Sequence, residues 1–142
     1  MLRWIAIAAA FVNLGIHLSM APDHLAEKLY IGILFVIGSA LLGAVMIGLA
    51  SDRDRLRTAA WAGGALVCAA EVILFVLSRT TGLPQGYHEA WAAAPEDLLG
   101  LASLAVELLF IGCAALSLSR TESGRRPHAD WLMIHDRTAP LP

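Results

Sequence analysis

Charged residues are scarce in this sequence. Only 15% of its 142 residues are Asp, Glu, Lys or Arg, and 58% are hydrophobic, whereas an average soluble domain has about 45–50% apolar residues. A chain this apolar has no large water-soluble core and no separate soluble domain. The formal net charge is -2, which excludes the basic surface needed for nucleic-acid binding.

Cysteine is nearly absent, and the common catalytic motifs are missing. Cys68 and Cys113 both lie inside apolar runs, with no C-x-x-C pair, so we expect buried thiols rather than a disulfide framework. The sequence contains no Walker A motif, no G-x-G-x-x-G and no serine nucleophile motif. The Glu-x-x-His pairs of di-iron bundles are also absent. These absences favour a protein that is not an enzyme.

Four apolar stretches, each long enough to cross a bilayer, make up most of the chain. They predict an all-α integral membrane four-helix bundle in one domain, residues 1–119, with short loops on both sides. A partly flexible tail, residues 120–142, is expected to follow the bundle. The predicted helices span about residues 3–20, 23–50, 58–78 and 96–119.

The end of the first apolar run resembles a signal-peptide cleavage site. Pro22 would follow the cut, however, and proline there hinders processing, so we expect an uncleaved helix. Pro22 and Asp23 also look like a helix start, because proline suits the first helical position and an acid suits the first turn. This interpretation places His24 and Glu27 on the first turn of the second helix.

Lysine and arginine are distributed unevenly between the two predicted sides of the bundle. If both termini are cytoplasmic, eight arginines lie inside and only Lys28 and Arg79 lie outside, which is a strong positive-inside pattern. We therefore expect a multi-pass protein of the bacterial cytoplasmic (plasma) membrane, with the Pro22 turn and residues 79–94 facing outward. The eight arginines are Arg3, Arg53, Arg55, Arg57, Arg120, Arg125, Arg126 and Arg137.

Polar side chains within the spans carry the strongest functional signal. At a helical rise of 1.5 Å per residue, Glu71 lies about 10 Å, and Glu107 about 15 Å, from the outer ends of their helices. Ionisable groups at such depths are costly and are functional by default. Each carboxylate shares its helix face with small residues, so we expect the two to approach each other inside the bundle.

These residues predict a cation site, for a divalent metal ion or a proton, in an outward-facing polar pocket used for transport or sensing. Imidazole together with carboxylate suits zinc, iron, manganese or copper. Haem is disfavoured, because only His17 lies clearly within a span. The expected metal or proton ligands are His17, His24, Glu71 and Glu107, and the expected pocket mouth is Asn13, Glu27, Arg79, His88 and Asp97.

Two other interpretations stay open. The polar groups could be structural, with Glu71 and Glu107 protonated and paired. The chain would then be a non-catalytic accessory or assembly subunit that packs a stripe of small residues, Ala40, Ala44 and Gly48, closely against a partner. A haem or redox membrane protein is the third interpretation. Four short helices cannot enclose a wide pore, so transport would require a homo-oligomer or a larger membrane complex.

Several segments resemble a group of small four-helix membrane proteins of bacteria, mostly actinobacteria. The similarity rests on Ser-Arg-Thr-Thr-Gly-Leu-Pro at residues 78–84, followed by Glu96, Asp97 and Glu107, and on the spacing of His17, His24 and Glu27. It covers the four helices and not the tail. The resemblance implies the same topology and suggests that Arg79 belongs to the site, paired with Glu71 or a rim acid or holding an anionic ligand. It implies no activity.

Overall fold

Four long α-helices form the protein in the computed structural model, which describes residues 1–91 and 95–123, the side chains of residues 95–97 and 121–123 excepted. The helices are α1 (Leu2–Glu27), α2 (Leu29–Ala50), α3 (Asp54–Arg79) and α4 (Pro95–Ser123), and a short 3-10 turn covers Pro84–Gly86. All four are long and apolar enough to cross a membrane. The predicted all-α fold with four membrane-length helices is therefore confirmed. The predicted flexibility of the tail falls outside the described residues.

The four helices pack as a closed ring. Each helix contacts its neighbours in sequence, and α1 contacts α4, whereas neither diagonal pair of these helices packs together. The short α1–α2 and α2–α3 connections make consecutive helices antiparallel. One end of the bundle therefore holds the starts of α1 and α3 and the ends of α2 and α4. The other end holds the α1–α2 and α3–α4 connections.

The first helix is longer than predicted. It continues through Pro22 to Glu27, and the only break is Lys28, whose backbone is extended with φ -145° and ψ 106°. The predicted boundary at residues 20–23 is therefore wrong. Proline costs α1 one hydrogen bond near its end, which membrane helices tolerate. Continuing the helix keeps Asn13, His17 and His24 on one buried face.

Gly32 makes the one-residue reversal between α1 and α2 feasible. A Cβ atom at this position would lie 2.3 Å from Leu25 Cγ and 2.6 Å from Leu25 Cα. Any larger residue would push the two helices apart. At the turn of the α1–α2 hairpin, the backbone of Gly32 therefore packs directly on Leu25.

An apolar core fills the half of the bundle away from this turn. It contains both thiols, Cys68 and Cys113, which are buried and free as expected. The remaining core residues are Ala6, Ala10, Leu42, Val45, Leu49, Ala60, Trp61, Phe110 and Ala114. Of the predicted small-residue stripe, only Gly48 packs in the bundle, where a Cβ would lie 2.7 Å from Ala60 Cβ. Ala40 and Ala44 are exposed on the outer face of α2, so they do not pack within the bundle, and their predicted contact with a partner stays a prediction.

The connection from α3 to α4 folds back over the end of the bundle. Gly82 and Gly86 adopt φ values of 79° and 72°, which favour glycine, and Leu83 N–H donates to the Tyr87 carbonyl at 2.7 Å. Tyr30 of α2 donates its hydroxyl to the Pro84 carbonyl at 2.6 Å. These bonds hold residues 80–91 as a cap over the end of the helices.

Candidate cation site

Three helices bring five polar side chains together below the cap. Asn13 and His17 lie one turn apart on α1, Glu71 lies on α3, and Ser103 and Glu107 lie one turn apart on α4. The cluster is deeply buried: Asn13 is 1% exposed and Glu107 is 3% exposed. The predicted approach of Glu71 to Glu107 is confirmed, because donor atoms of both acids and of His17 lie within 4.8 Å of one another.

Asn13 links the two carboxylates. Its amide Nδ2 donates to Glu71 Oε2 at 2.9 Å and to Glu107 Oε1 at 3.4 Å. Its Oδ1 accepts a hydrogen bond from Ser103 Oγ at 2.5 Å. The sequence placed Asn13 at the pocket mouth, but Asn13 does not line the cavity. It lies a full turn deeper on α1 than His17 and supports the carboxylates from below.

Ser103 contacts three members of the cluster. Besides Asn13, its Oγ lies 2.8 Å from Glu107 Oε1 and 3.3 Å from His17 Nε2. A hydroxyl has one proton to donate and two lone pairs that accept, so it donates to only one of these partners at a time. Ser103 can therefore rearrange its hydrogen bonds when a neighbouring group gains or loses a proton.

Two buried atoms in the cluster lack a hydrogen-bond partner. His17 Nδ1 and Glu71 Oε1 are the only buried side-chain nitrogen or oxygen atoms without a hydrogen bond in the part of the chain that the structure describes. They lie 3.6 Å apart and face each other. On the other side of the imidazole, His17 Nε2 lies 3.8 Å from Glu107 Oε1. Buried polar groups normally have hydrogen-bond partners, so this facing pair is the most unusual feature of the cluster.

Gly38 of α2 lies directly beside the unpartnered atoms. A Cβ at this position would lie 2.7 Å from Glu71 Oε1 and 3.3 Å from His17 Nδ1. The missing side chain leaves room for the imidazole and the carboxylate to face each other. α2 thus contributes to the site through the absence of a side chain.

The charge and donor set of the cluster suit a divalent cation. Two buried carboxylates cannot both stay ionised without a counter-charge, and among the described residues neither Glu71 nor Glu107 forms an ion pair with a lysine or arginine. Zinc bonds of about 2.0–2.1 Å place neighbouring tetrahedral donors about 3.3 Å apart. The separation of 3.6 Å between His17 Nδ1 and Glu71 Oε1 is close to that value.

A cavity of about 100 Å³ leads from the cluster towards the cap. A single water needs roughly 10–15 Å³ measured in this way, so the cavity can hold several waters or a hydrated ion. Its walls are apolar and its upper end is polar. The walls include Met20, Leu34, Phe35, Leu74 and Phe75, and the upper end includes Arg79, Tyr87 and Glu89.

His24 belongs to this upper layer and not to the His17 cluster. Its Nδ1 lies 3.2 Å from the Tyr87 hydroxyl. The Phe35 ring lies between the two histidines, with its centroid 4.5 Å from that of His24 and 4.9 Å from that of His17. The prediction that His24 joins His17 as a ligand is therefore wrong, because an aromatic ring separates them.

Tyr87 connects His24 to the acid of the cap. Its hydroxyl also donates to Glu89. Burial raises the pKa of Tyr87 well above its usual value, and the hydrogen bond to Glu89 adds to the effect. The phenol therefore stays protonated and keeps its hydrogen bond to the Glu89 carboxylate.

Arg79 completes the upper layer and pairs with a rim acid rather than with Glu71. Its Nη1 lies 2.6 Å from Glu89 Oε2, and its guanidinium lies over the Phe75 ring at 3.9 Å. Trp91 donates its indole N–H to the Arg79 carbonyl at 3.1 Å. Arg79 is thus held at the upper end of the cavity, as its predicted place at the mouth requires.

Two of the other predicted mouth residues, Glu27 and His88, are not among the residues that line the cavity. The Glu27 side chain is 64% exposed and lies 4.0 Å from His24 Nδ1. His88 is exposed on the cap. The Asp97 side chain lies outside the described residues. The predictions for Glu27 and His88 are therefore wrong. Glu27 lies at the end of the longer α1 and not at the start of α2, and His88 points outward because its neighbours Tyr87 and Glu89 point inward.

Sequence reasoning did not assign Ser103, Gly38, Tyr87 or Glu89 to the site. The sequence does place Ser103 on the same helix face as Glu107, four residues before it, and it places Glu89 at the outer rim. Gly38 offers no such signal, since a glycine in an apolar helix looks like any other. Tyr87 and Glu89 depend on the fold of the cap, which a local pattern does not predict.

Comparisons of the chain with protein-family models, with curated proteins and with solved structures find no match. The function must therefore be inferred from the geometry of the described residues.

Proposed function

We propose that this membrane protein binds a cation, a divalent metal ion in competition with protons, at His17, Glu71 and Glu107. The observation that carries the proposal is the facing pair of buried, unpartnered atoms, His17 Nδ1 and Glu71 Oε1, 3.6 Å apart. A metal ion or a proton between them would satisfy both atoms at once. A structural cluster could satisfy the same two atoms only as an ion pair with a protonated His17, and metal binding distinguishes these two cases.

The electrostatics support a doubly charged ligand. With a neutral imidazole and two ionised carboxylates the cluster carries a charge of about -2, which a divalent ion neutralises. Asn13 and Ser103 hydrogen-bond the carboxylates and fix their orientation. Such supporting bonds commonly change metal affinity about 10–100-fold when they are removed.

The donor set favours zinc, manganese, iron or copper(II). One imidazole nitrogen with carboxylate oxygens suits these borderline and hard ions, whereas copper(I) prefers thiolate and thioether ligands. Met20 is the one thioether on the described cavity wall. A cavity of about 100 Å³ is small beside the roughly 300–1,000 Å³ of pockets for larger ligands, which argues against haem.

The cation reaches the site from the capped end of the bundle. Towards the opposite end the apolar core, with Trp61 and Phe110, closes the way. We orient the capped end to the outside of the cytoplasmic membrane, on the distribution of lysine and arginine. One-sided access favours sensing, or a transport cycle in which the helices rearrange, over an open channel.

Metal content of the purified protein tests the proposal. The full chain in detergent is dialysed against zinc or manganese, and bound metal is measured by elemental analysis. We expect about one ion per chain for the wild type and for E27Q, whose carboxylate is exposed. The E71Q and E107Q variants should bind little.

Metal retained by E71Q at the wild-type level would refute the proposal. If neither the wild type nor any variant binds metal, the cluster is a protonated structural network. The accessory-subunit interpretation would then take precedence, and co-purification of a larger membrane complex would support it.

A further inference from the structure

A second polar cleft lies at the end of the bundle opposite the cavity. Its volume is about 530 Å³, and it opens where α1 and α3 begin and α4 ends. Three arginines from three different helices line it. Its residues are Met1, Leu2, Arg3, Arg57, Trp61, Ser117 and Arg120.

The cleft carries an excess of positive charge. Arg120 forms no ion pair with any residue that the structure describes, and the Arg3 guanidinium lies 5.0 Å from the ring of its neighbour Trp4. Arg57 pairs with Asp54, whose side chain is 86% exposed. An ion pair this exposed contributes little. Among the side chains that the structure describes, these three guanidinium groups therefore have only one acid beside them, and that ion pair is weak.

A tryptophan closes the inner side of the cleft. Trp61 lines it and is 5% exposed, with its ring centroid 5.9 Å from that of Phe110. Within residues 1–91 and 95–120, no side chain or carbonyl accepts a hydrogen bond from its indole N–H. Trp61 therefore forms the inner, apolar wall of the cleft, and the three arginines supply its charge.

We propose that this cleft binds a phosphate group, presented by the headgroup of an anionic phospholipid. Guanidinium groups bind phosphate through paired, charge-assisted hydrogen bonds. Basic pockets between transmembrane helices are also suited to phospholipid headgroups. The cleft lies at the ends of membrane-length helices, and the nearby Trp4 is 60% exposed, as is typical at headgroup depth.

Two further arginines provide a matched control. Arg53 and Arg55 lie at the same end of the bundle and are exposed, but they do not line the cleft. They share the general attraction of any basic residue for an anionic membrane surface. A specific phosphate site therefore predicts a larger effect from Arg57 and Arg120 than from Arg53 and Arg55.

Lipid retention measured by native mass spectrometry tests the proposal. The full chain in neutral detergent is titrated with phosphatidylglycerol, phosphatidylcholine or oleate. We expect phosphatidylglycerol to bind most tightly and oleate, an anion without phosphate, to bind weakly. Each of R57Q and R120Q should weaken phosphatidylglycerol binding about fivefold, and the double variant about 25-fold. The R53Q/R55Q control should change it less than twofold.

Competition by inorganic phosphate distinguishes the two sources of the ligand. If millimolar phosphate leaves the lipid bound, the headgroup is the ligand; if it displaces the lipid, a soluble phosphate is. An equal loss in R53Q/R55Q and R57Q/R120Q would overturn the proposal, and so would binding of oleate as tight as that of phosphatidylglycerol. A melting curve of each variant shows whether it is still folded. If R57Q unfolds, R120Q alone is compared with R53Q/R55Q, because Arg120 lies on the exposed side of α4.

Discussion

Replacing Gly38 with alanine should separate the stability of the fold from the affinity of the cation site. The added methyl carbon would lie 2.7 Å from Glu71 Oε1, whereas ordinary contacts are 3.4–4 Å. The carboxylate must therefore move by about 0.7 Å, which exceeds the tolerance of about 0.2 Å on metal–ligand distances. Because that oxygen is the end of a flexible side chain, the helices themselves need not move.

The two effects of this substitution have opposite signs. Alanine favours a helix over glycine by about 1 kcal/mol, so the metal-free G38A variant should be as stable as the wild type or more stable. At a zinc concentration of 100 Kd, binding stabilises the wild type by about 2.7 kcal/mol. If the affinity falls about a hundredfold, the same zinc concentration stabilises G38A by only about 0.4 kcal/mol.

Thermal unfolding in detergent, with and without zinc at pH 7.5, measures both effects. G43A is the matched control on α2, since a Cβ there would lie 3.8 Å from Leu14 Cδ1, an ordinary contact. G43A should keep the full zinc shift. An undiminished zinc shift in G38A would refute the placement of the cation between His17 and Glu71.

Three further predictions follow from the site, the cap and the topology. H17A should lose most of the zinc-induced rise in melting temperature, whereas H88A, on the exposed face of the cap, should keep it. In the wild type this rise should fade between pH 7.5 and pH 5, because protons compete with zinc for the ligands. Since burial raises the pKa of Tyr87, the wild type should lose stability in denaturant titrations as pH rises above about 10, a loss that Y87F should not share. An impermeant thiol reagent applied to intact cells should label G86C and not S123C; the reverse pattern would invert the orientation and the direction of access.

The four spans were predictable because each is a long apolar run, and a helix satisfies all its backbone hydrogen bonds within its own segment inside hydrocarbon. The approach of Glu71 to Glu107 was predictable for a related reason. A carboxylate in a span needs a polar neighbour, and each acid shares its helix face with small residues that face another helix.

The position of the first turn was not predictable from Pro22. Proline suits a helix start and is also tolerated near the end of a membrane helix. The choice depends on the tertiary contacts of His24, which faces Phe35 and Tyr87 only if α1 continues. The same error misplaced Glu27. The Tyr87–Glu89–Arg79 arrangement could not be predicted either, because it depends on how the cap folds back.

The site spans a pair of helices that do not otherwise pack together. Asn13 and His17 lie on α1 and Glu71 lies on α3, and these two helices stand diagonally across the ring of four. Glu107 lies on α4, which packs beside both of them. A cation between His17 and Glu71 would therefore act as a removable cross-link through the middle of the ring, and its occupancy would change how firmly the diagonal pair is held.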